Sequence, residues 1–178
     1  MEDELVLVDE NDNCIGTLPK RQAHEDGGVL HRAFSIFIFD SAQRMLLQLR
    51  GKDKYHFGGR WTNACCSHPR RGEELQEAAH RRLREELGFD VPLQELFSFT
   101  YRAYDEKSGL TEHEFDHVFI GHYDGVPQPN PQEVDDWKWV SISELEDDLT
   151  QHPDQYTAWF RLSVTQVCNS LEAKLKAQ

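Results

Sequence analysis

Short apolar stretches in the first third of the chain have the length and composition of β-strands. Residues 5–8 predict an edge strand. Residues 33–39 form an apolar run broken only by Ser35, and a run this short is typical of a buried central strand. Residues 40–44 have the composition of a turn, and residues 45–49 are apolar again. The two apolar stretches around this turn therefore predict a β-hairpin.

The second half of the chain continues the strand pattern. Aromatic and small residues alternate with polar ones over residues 97–103, and residues 112–123 predict a return strand after a turn at 105–109. A proline-rich loop over residues 126–131 then leads into a further short strand at 137–140. The sheet is therefore expected to combine hairpins with more distant pairings.

Two longer segments have helical periodicity. Residues 73–87 predict a helix that ends at Gly88. Ser143 and Glu146 predict a capping box for a short helix, and a last helix is expected from about Tyr156 onward. Its predicted buried side comprises Phe160, Val164, Val167, Leu171 and Leu175. Because strands and helices are mixed without strict βαβ alternation, we predict an α/β (α+β) fold, an α/β/α sandwich with a mixed central sheet, as one domain over residues 1–178.

The composition restricts the class of protein. The 178 residues are 38% hydrophobic and 29% charged, which is typical of a folded globular chain. No apolar run approaches the roughly 20 residues that a membrane-spanning helix needs, and the acidic start of the sequence resembles neither a signal nor a transit peptide. A net charge of −13 argues against nucleic acid and anionic membranes as partners. We therefore expect a cytoplasmic monomer that acts on a small molecule.

The charges are unevenly distributed along the chain. Residues 20–84 contain 13 of the 19 Lys and Arg residues and seven of the 32 acids, so this segment carries +6 and the rest carries −19. Either the surplus acids form a solvated surface, or the basic segment builds a local site for a small anion. The distribution alone does not separate these two interpretations.

The helix predicted at residues 73–87 carries charges on its apolar face. Glu86 lies near the middle of that face, Arg82 lies close beside it, and Glu85 lies at its edge. A buried charge must be paired, bind a metal or meet a ligand, because isolated burial is costly. Arg82 and Glu86 either form a salt bridge at i, i+4 spacing or contact a ligand.

Two further groups of residues are unusual for a structural core. Alternation places Glu112 and Glu114 on the core side of their strand, where two neighbouring carboxylates repel each other unless a cation or a proton lies between them. His113 and His117 are expected on the opposite face.

The second unusual set of residues consists of cysteine and histidine side chains. Cys66 and His68 are two residues apart, and His24 and His31 flank a Gly-Gly turn. The four cysteines of the chain are expected to be reduced, since two of them are adjacent and no secretory signal is visible. Three histidines and two carboxylates offer nitrogen and oxygen ligands that suit manganese, zinc or iron.

Together these segments resemble the type 1 isopentenyl-diphosphate isomerases, a family of the Nudix-fold superfamily. The resemblance covers roughly residues 4–165. It rests on the segment Thr-Asn-Ala-Cys-Cys-Ser-His-Pro at 62–69, on Tyr-Arg-Ala at 101–103 and on the Glu112/Glu114 pair. It implies a Nudix-like sandwich and the conversion of isopentenyl diphosphate to dimethylallyl diphosphate by protonation and deprotonation.

The resemblance also implies a role for individual residues. Cys66 and Glu114 would handle the two protons from opposite faces of the substrate, and Tyr101 would assist Glu114. One divalent metal (Mn²⁺, Zn²⁺ or Mg²⁺) would be bound by His24, His31, His68, Glu112 and Glu114. A second ion, Mg²⁺, would bridge the diphosphate and Glu86. Substrate-binding roles would fall to Lys20, Arg50, Lys54, Arg82 and Trp159.

The chain departs from the Nudix hydrolase motif at two positions. Seven residues match it, namely Glu73, Arg81, Leu83, Glu85, Glu86, Gly88 and Phe89. Ser67 replaces the first glycine, and Arg82 replaces a glutamate that the hydrolases use to bind metal or activate water. A cation at this position weakens hydrolysis and favours phosphate binding.

Two other classes of function remain open at this level. One is a Nudix hydrolase of a nucleoside diphosphate derivative, which Arg82 and the inward carboxylates argue against. The other is a metal-binding or redox-sensing module without catalytic activity, which leaves Arg50, Lys54 and Arg82 unexplained.

Overall fold

A computed structural model describes residues 3–176 of the chain, and the side chains of residues 3–173. The strands are β1 (Glu4–Val8), β2 (Cys14–Pro19), β3 (His31–Phe39), β4 (Met45–Arg50), β5 (Trp61–Thr62), β6 (Cys65–Ser67), β7 (Gln94–Asp105), β8 (Leu110–His122) and β9 (Val134–Val140). The helices are α1 (Lys20–His24), α2 (Leu75–Leu87), α3 (Ile142–Gln151) and α4 (Ala158–Lys176), with a 3-10 turn at Pro153–Gln155. All nine strands belong to one mixed sheet.

The centre of the sheet is the pairing of β3 with β8. These strands run parallel, in register from His31 opposite Glu114 to Phe39 opposite His122. Strand β6 pairs with β3 in antiparallel orientation, β7 pairs with β8 as a hairpin, and β4 pairs with β5 and β9. The prediction of a buried central strand at residues 33–39 is confirmed.

Helices cover both faces of this sheet. Alternate residues of β3 point to opposite sides, so that Phe37 and Phe39 pack with Phe160 and Val167 of α4 on one face. The other face packs against α2 and includes Phe34, Ile36, Ile38, Ala79 and Leu83. The predicted sandwich with a mixed central sheet is therefore confirmed.

The structure corrects two predictions about the strands. Strand β1 lies between β2 and β3, so β2 is its neighbour on the edge side and the prediction of an edge strand at residues 5–8 is wrong. The side chains of β2 are largely exposed, and its sequence has no apolar pattern that would predict a strand. The turn after β3 is present, but β3 and β4 pair only at Phe39 and Met45. The two strands diverge because each has other partners: β8 and β6 for β3, and β9 and β5 for β4.

The helix predictions are confirmed in most details. Helix α2 ends at Gly88, whose φ of 73° is the left-handed conformation that glycine adopts without strain. A Cβ at this position would also lie 2.7 Å from the carbonyl oxygen of Gln128. In α4 the predicted residues Phe160, Val164, Val167 and Leu171 are buried, whereas the side chain of Leu175 lies outside the described part.

The N-terminal cap of α3 lies two residues before the predicted one. The N-cap is Ser141, whose Oγ accepts a hydrogen bond from the amide of Glu144 at 3.2 Å. Ser143 lies inside the helix. Both serines are followed three residues later by a glutamate, so the pattern alone does not distinguish them.

The two serines provide a matched pair for mutation. We expect Ser141→Ala to lower the free energy of unfolding by about 1 kcal/mol, because it removes the cap of α3. Ser143→Ala should change it by much less, since alanine is a good residue inside a helix. Urea denaturation of both variants measures the difference, and equal effects would contradict the cap at Ser141.

Candidate active site

A cavity of about 270 Å³ opens beside the N-terminal end of β3 and contains most of the residues that the sequence singled out. The predicted residues that line it are Lys20, Arg50, Lys54, Cys66, His68, Arg82, Glu112, Glu114 and Trp159. They come from α1, β4, the loop after β4, β6, α2, β8 and α4. Tyr101, His24, His31 and Glu86 do not line the cavity, but each contacts a residue that does.

Three histidines and a carboxylate meet at one side of this cavity. His24 ends α1, His31 begins β3, His68 follows β6, and Glu112 lies near the start of β8. One potential ligand atom from each of these four residues lies within 4.8 Å of all the others. The His24 Nε2 atom is 3.0 Å from Glu112 Oε2, and the His68 Nε2 atom is 2.7 Å from Glu114 Oε2.

The chemistry of this cluster fits a divalent metal ion. The Nδ1 atoms of His24 and His31 each donate to a backbone carbonyl oxygen at 2.7 Å, that of Lys20 and that of Val29. This leaves the Nε2 lone pairs free to coordinate. His31 Nε2 is buried and has no hydrogen-bond partner among residues 3–173, although it lies 3.3 Å from Glu114 Oε2. A buried nitrogen of this kind, facing carboxylate oxygens, is where a metal would bind.

The two carboxylates of β8 have opposite electrostatic surroundings. Burial and the neighbouring charge of Glu114 raise the pKa of Glu112. Burial also disfavours ionisation of Glu114, but His31 and His68 outweigh it and hold the pKa of Glu114 well below its usual range. Tyr101, directly opposite Glu114 on β7, donates its hydroxyl hydrogen to Glu114 Oε1.

The two adjacent cysteines have different environments because successive residues of β6 face opposite sides. Cys65 is fully buried on the α2 face, whereas Cys66 faces the cavity. The thiol of Cys66 donates to Asn63 Oδ1 at 3.0 Å, and its sulfur accepts from Trp159 Nε1 at 2.9 Å. Burial, together with the charge of Asp116, raises the pKa of Cys66 to about 12, so the free thiol carries its proton at neutral pH.

All four cysteines are free thiols, as the sequence predicted.

A cationic group lies next to the thiol in the same cavity. Arg82 Nη2 contacts Glu86 Oε1 at 2.6 Å and Glu133 Oε1 at 2.7 Å, and Lys54 Nζ lies 3.3 Å from Glu86 Oε1. Burial disfavours ionisation of Glu86, but Lys54 and Arg82 outweigh it and lower its pKa to about 2. Of the two alternatives for Arg82 and Glu86, the salt bridge is therefore present, while Arg82 also borders the cavity.

Burial and the charges of Lys54 and Arg50 lower the pKa of Lys20, another cation at this cavity. The crowding of positive charge indicates a site for an anion.

Several residues of this site were missed by the sequence analysis. His56 contacts Glu112 Oε1 through its Nε2 atom, and the Tyr55 hydroxyl oxygen lies 2.6 Å from His24 Nδ1. Both belong to the loop between β4 and β5, which has no periodicity to indicate where its side chains point. Only their position directly after Lys54 could have drawn attention to them.

The residues that orient the thiol were also missed. Asn63 donates to the carbonyl oxygens of Ile36 and Cys65, both at 3.0 Å, which fixes its Oδ1 towards Cys66. Ser35, opposite Cys66 on β3, donates to Asp116 Oδ2 at 2.7 Å. Strand alternation indicates which face a side chain is on, but it does not reveal these partners.

The other faces of the molecule agree with the sequence. His113 and His117 lie on the side of β8 away from the cluster, and His117 pairs with Asp12 at 2.8 Å. In residues 3–176 we find no helix that is both long enough and apolar enough to span a membrane.

Comparison with known proteins first assigns the class. The NUDIX domain model matches residues 29–160. A crystal structure from Deinococcus radiodurans superposes with a TM-score of 0.68 at 22% identity, covering 84% of this chain and 90% of the other. The MutT protein of Methanosarcina mazei superposes with a TM-score of 0.61 at 19% identity, over 74% and 88% of the two chains. The protein is therefore a member of the Nudix family.

More similar relatives narrow the assignment. The chain is 54% identical to isopentenyl-diphosphate Delta-isomerase 2 of Aromatoleum aromaticum, over 96% of this chain and 90% of the relative. It is 52% identical to isopentenyl-diphosphate Delta-isomerase of Serratia proteamaculans, over 90% and 88% of the two chains. Within the Nudix family, the chain belongs to the isopentenyl-diphosphate Delta-isomerases.

The histidine cluster leads to a prediction about metal content. His24→Ala, His68→Ala and Glu112→Ala should each lower the amount of bound metal, because each removes a proposed ligand. His113→Ala and His117→Ala should retain it, since these side chains lie on the opposite face of β8. Elemental analysis of purified variants measures the stoichiometry, and full metal content in the first three would contradict the cluster.

Proposed function

We propose that this enzyme isomerises isopentenyl diphosphate to dimethylallyl diphosphate, and that Cys66 and Glu114 transfer the two protons. The proposal agrees with the family of the chain. The observation that carries it is one cavity in which a thiol and a carboxylate share the wall with Lys20, Arg50, Lys54 and Arg82. A substrate with a diphosphate at one end and an alkene at the other fits this combination, because the cations would bind the diphosphate and the thiol and carboxylate would face the alkene.

The reaction adds a proton to the terminal alkene carbon and removes one from the allylic carbon. An alkene is a weak base, so the acid must be held close to it and the developing tertiary cation must be shielded from water. One of Cys66 and Glu114 gives a proton and the other takes one, so the two groups exchange protonation states in each turnover.

The surroundings of Cys66 suit this exchange. Asn63 accepts the thiol hydrogen, and the indole N–H of Trp159 donates to the sulfur, which stabilises negative charge there. The face of Trp159, which lines the cavity, would provide π-electrons for a carbocation. Tyr101, whose ring centroid is 6.5 Å from that of Trp159, would add to these π-electrons without lining the cavity. Tyr101 further assists by orienting the carboxylate of Glu114.

Metal ions are part of the proposal. His24, His31, His68, Glu112 and Glu114 would hold one divalent ion, whose charge favours the ionised form of Glu114 and fixes its position. Mg²⁺ would accompany the diphosphate, with Glu86 as its protein ligand. Glu86 is paired with Arg82 and Lys54, so this role requires both cations to shift their contacts from the carboxylate to the phosphates.

The proposal also covers the domain organisation, oligomeric state, location and partners of the enzyme. The chain acts as a single isomerase domain over residues 1–178, as a monomer in the cytoplasm, with no nucleic acid or membrane partner.

The two cysteines test the proton-transfer assignment. Cys66→Ala should lower kcat by roughly 10²–10⁴-fold, because it removes a proton-transfer group. Cys65→Ala should retain most of the activity, since this thiol lies on the other side of the sheet. Steady-state kinetics, with circular dichroism as a check of folding, measures both. Exchanged phenotypes would show that Cys65 is the reactive thiol.

Deuterium exchange separates the isomerase from a Nudix hydrolase. In D₂O with Mg²⁺, reversible proton transfer should place deuterium in recovered isopentenyl and dimethylallyl diphosphates while both phosphates stay attached. Mass spectrometry of the products and a phosphate assay measure the two outcomes, with Cys66→Ala as the control that incorporates none. Phosphate release without deuterium incorporation would overturn the isomerase and support the hydrolase.

A further inference from the structure

The loop between β4 and β5 brings two consecutive side chains against the histidine–carboxylate cluster. His56 is 5% exposed, and neither it nor Tyr55 has a role in the proton transfers or in the ligand set proposed above. The loop is held at the peptide bond that joins His56 to Phe57. Arg50 Nη2 donates to the carbonyl oxygen of His56 at 3.2 Å, and the amide of Phe57 donates to the buried carboxylate of Asp105 at 3.0 Å. The imidazole therefore has a defined position.

The two oxygens of Glu112 face different groups. Oε2 points into the cluster, 3.0 Å from His24 Nε2 and 3.7 Å from His31 Nε2. Oε1 points away from the cluster and contacts His56 Nε2. Since a carboxylate oxygen accepts, the hydrogen lies on Nε2 of His56 and is donated to Oε1. The N–H of His56 thus fixes the direction of Oε1, while Oε2 faces the cluster.

The other ring nitrogen of His56 has no such use. Nδ1 is buried and has no hydrogen-bond partner among residues 3–173. Buried polar atoms are nearly always paired, and an unpaired one destabilises the fold. The unpaired Nδ1 means that the position of His56 is not explained by stability alone. Its one side-chain hydrogen bond within residues 3–173, from Nε2 to Glu112, therefore indicates a function.

Tyr55 makes a similar contact with His24, another of the proposed metal ligands. Its hydroxyl donates to the carbonyl oxygen of Lys20 at 3.1 Å, and its oxygen lies 2.6 Å from His24 Nδ1. Nδ1 of His24 is also 2.7 Å from the same carbonyl oxygen. The hydrogen of Nδ1 is therefore held between two oxygens, and Nε2 is directed towards Glu112.

We propose that Tyr55 and His56 are positioning residues of the metal site, each fixing one ligand from outside. His56 prevents Glu112 from rotating its second oxygen into the cluster, and Tyr55 holds the tautomer and ring orientation of His24. Outer partners of this kind tune the affinity of a metal site without touching the ion. The inference rests on the metal site of the proposed function and extends it to the loop that also carries Lys54.

The test measures metal affinity in the absence of substrate. Metal-free protein is titrated with Mn²⁺ and with Zn²⁺ against a chelating indicator. We expect His56→Leu to weaken binding by roughly 10–100-fold, because leucine has similar volume but no donor. His56→Gln should retain most of the affinity, since its amide nitrogen can reach Glu112 in place of Nε2. Tyr55→Phe, which leaves the Lys20 carbonyl on His24, should cause a smaller loss.

His113→Leu is the matched control, since it makes the same substitution next to Glu112 but on the opposite face of β8. Three results would each overturn the inference. They are wild-type affinity in His56→Leu, an equal loss of affinity in His113→Leu, and a loss in His56→Gln as large as that in His56→Leu. Thermal unfolding of the metal-free variants detects a purely structural role, which would lower their Tm without changing metal affinity. Should His56→Leu not fold, Tyr55→Phe and His56→Gln decide the question, and wild-type affinity in Tyr55→Phe overturns it.

The outcome is separable from that of the isomerase proposal. A wild-type protein that binds neither metal would remove the metal site and this inference together, while deuterium exchange tests proton transfer independently. A wild-type protein that binds metal while all loop variants bind as tightly would remove only the inference.

Discussion

The parallel pairing of β3 with β8 is the constraint on which the site depends. It places His31 opposite Glu114 and directs the side chains of Glu112 and Glu114 to the same face as Phe37 of β3. Since side chains alternate along a strand, a shift of one residue would move both carboxylates to the other face. The apolar residues farther along both strands, which pack against α4, hold this register. The core that stabilises the fold thus also positions the carboxylates.

The cost of burying so many ionisable groups is offset by pairing them. Glu86 is matched by Arg82 and Lys54, and Glu114 by His31 and His68. The first group is a set of ion pairs and stabilises itself. The second contains a buried histidine nitrogen without a hydrogen-bond partner among residues 3–173, and the proposed metal ion would bind there. This difference distinguishes the proposed diphosphate side of the cavity from the proposed metal side.

Strand alternation also explains how one fold serves hydrolases and this family. The Nudix helix α2 keeps its apolar face and its terminal glycine, while Arg82 occupies the position of a hydrolase glutamate. The residues proposed for the proton transfers lie on the other face of the sheet: Cys66 on β6 and Glu114 on β8, with Trp159 on α4. Of the two side chains that contact the thiol, Asn63 lies three residues before Cys66, whereas Trp159 comes from a distant part of the chain.

The sequence by itself determined the central strand, the helix ending at Gly88 and the inward carboxylates, because periodicity and glycine conformation are local properties. It located the edge strand and the cap of α3 wrongly, because pairing partners decide the first and two equivalent Ser-x-x-Glu patterns compete for the second. The contacts of His56 with Glu112 were decided only by the tertiary structure. A loop has no period, so the direction of its side chains depends on tertiary contacts, here that of Phe57 with Asp105 and that of His56 with Arg50.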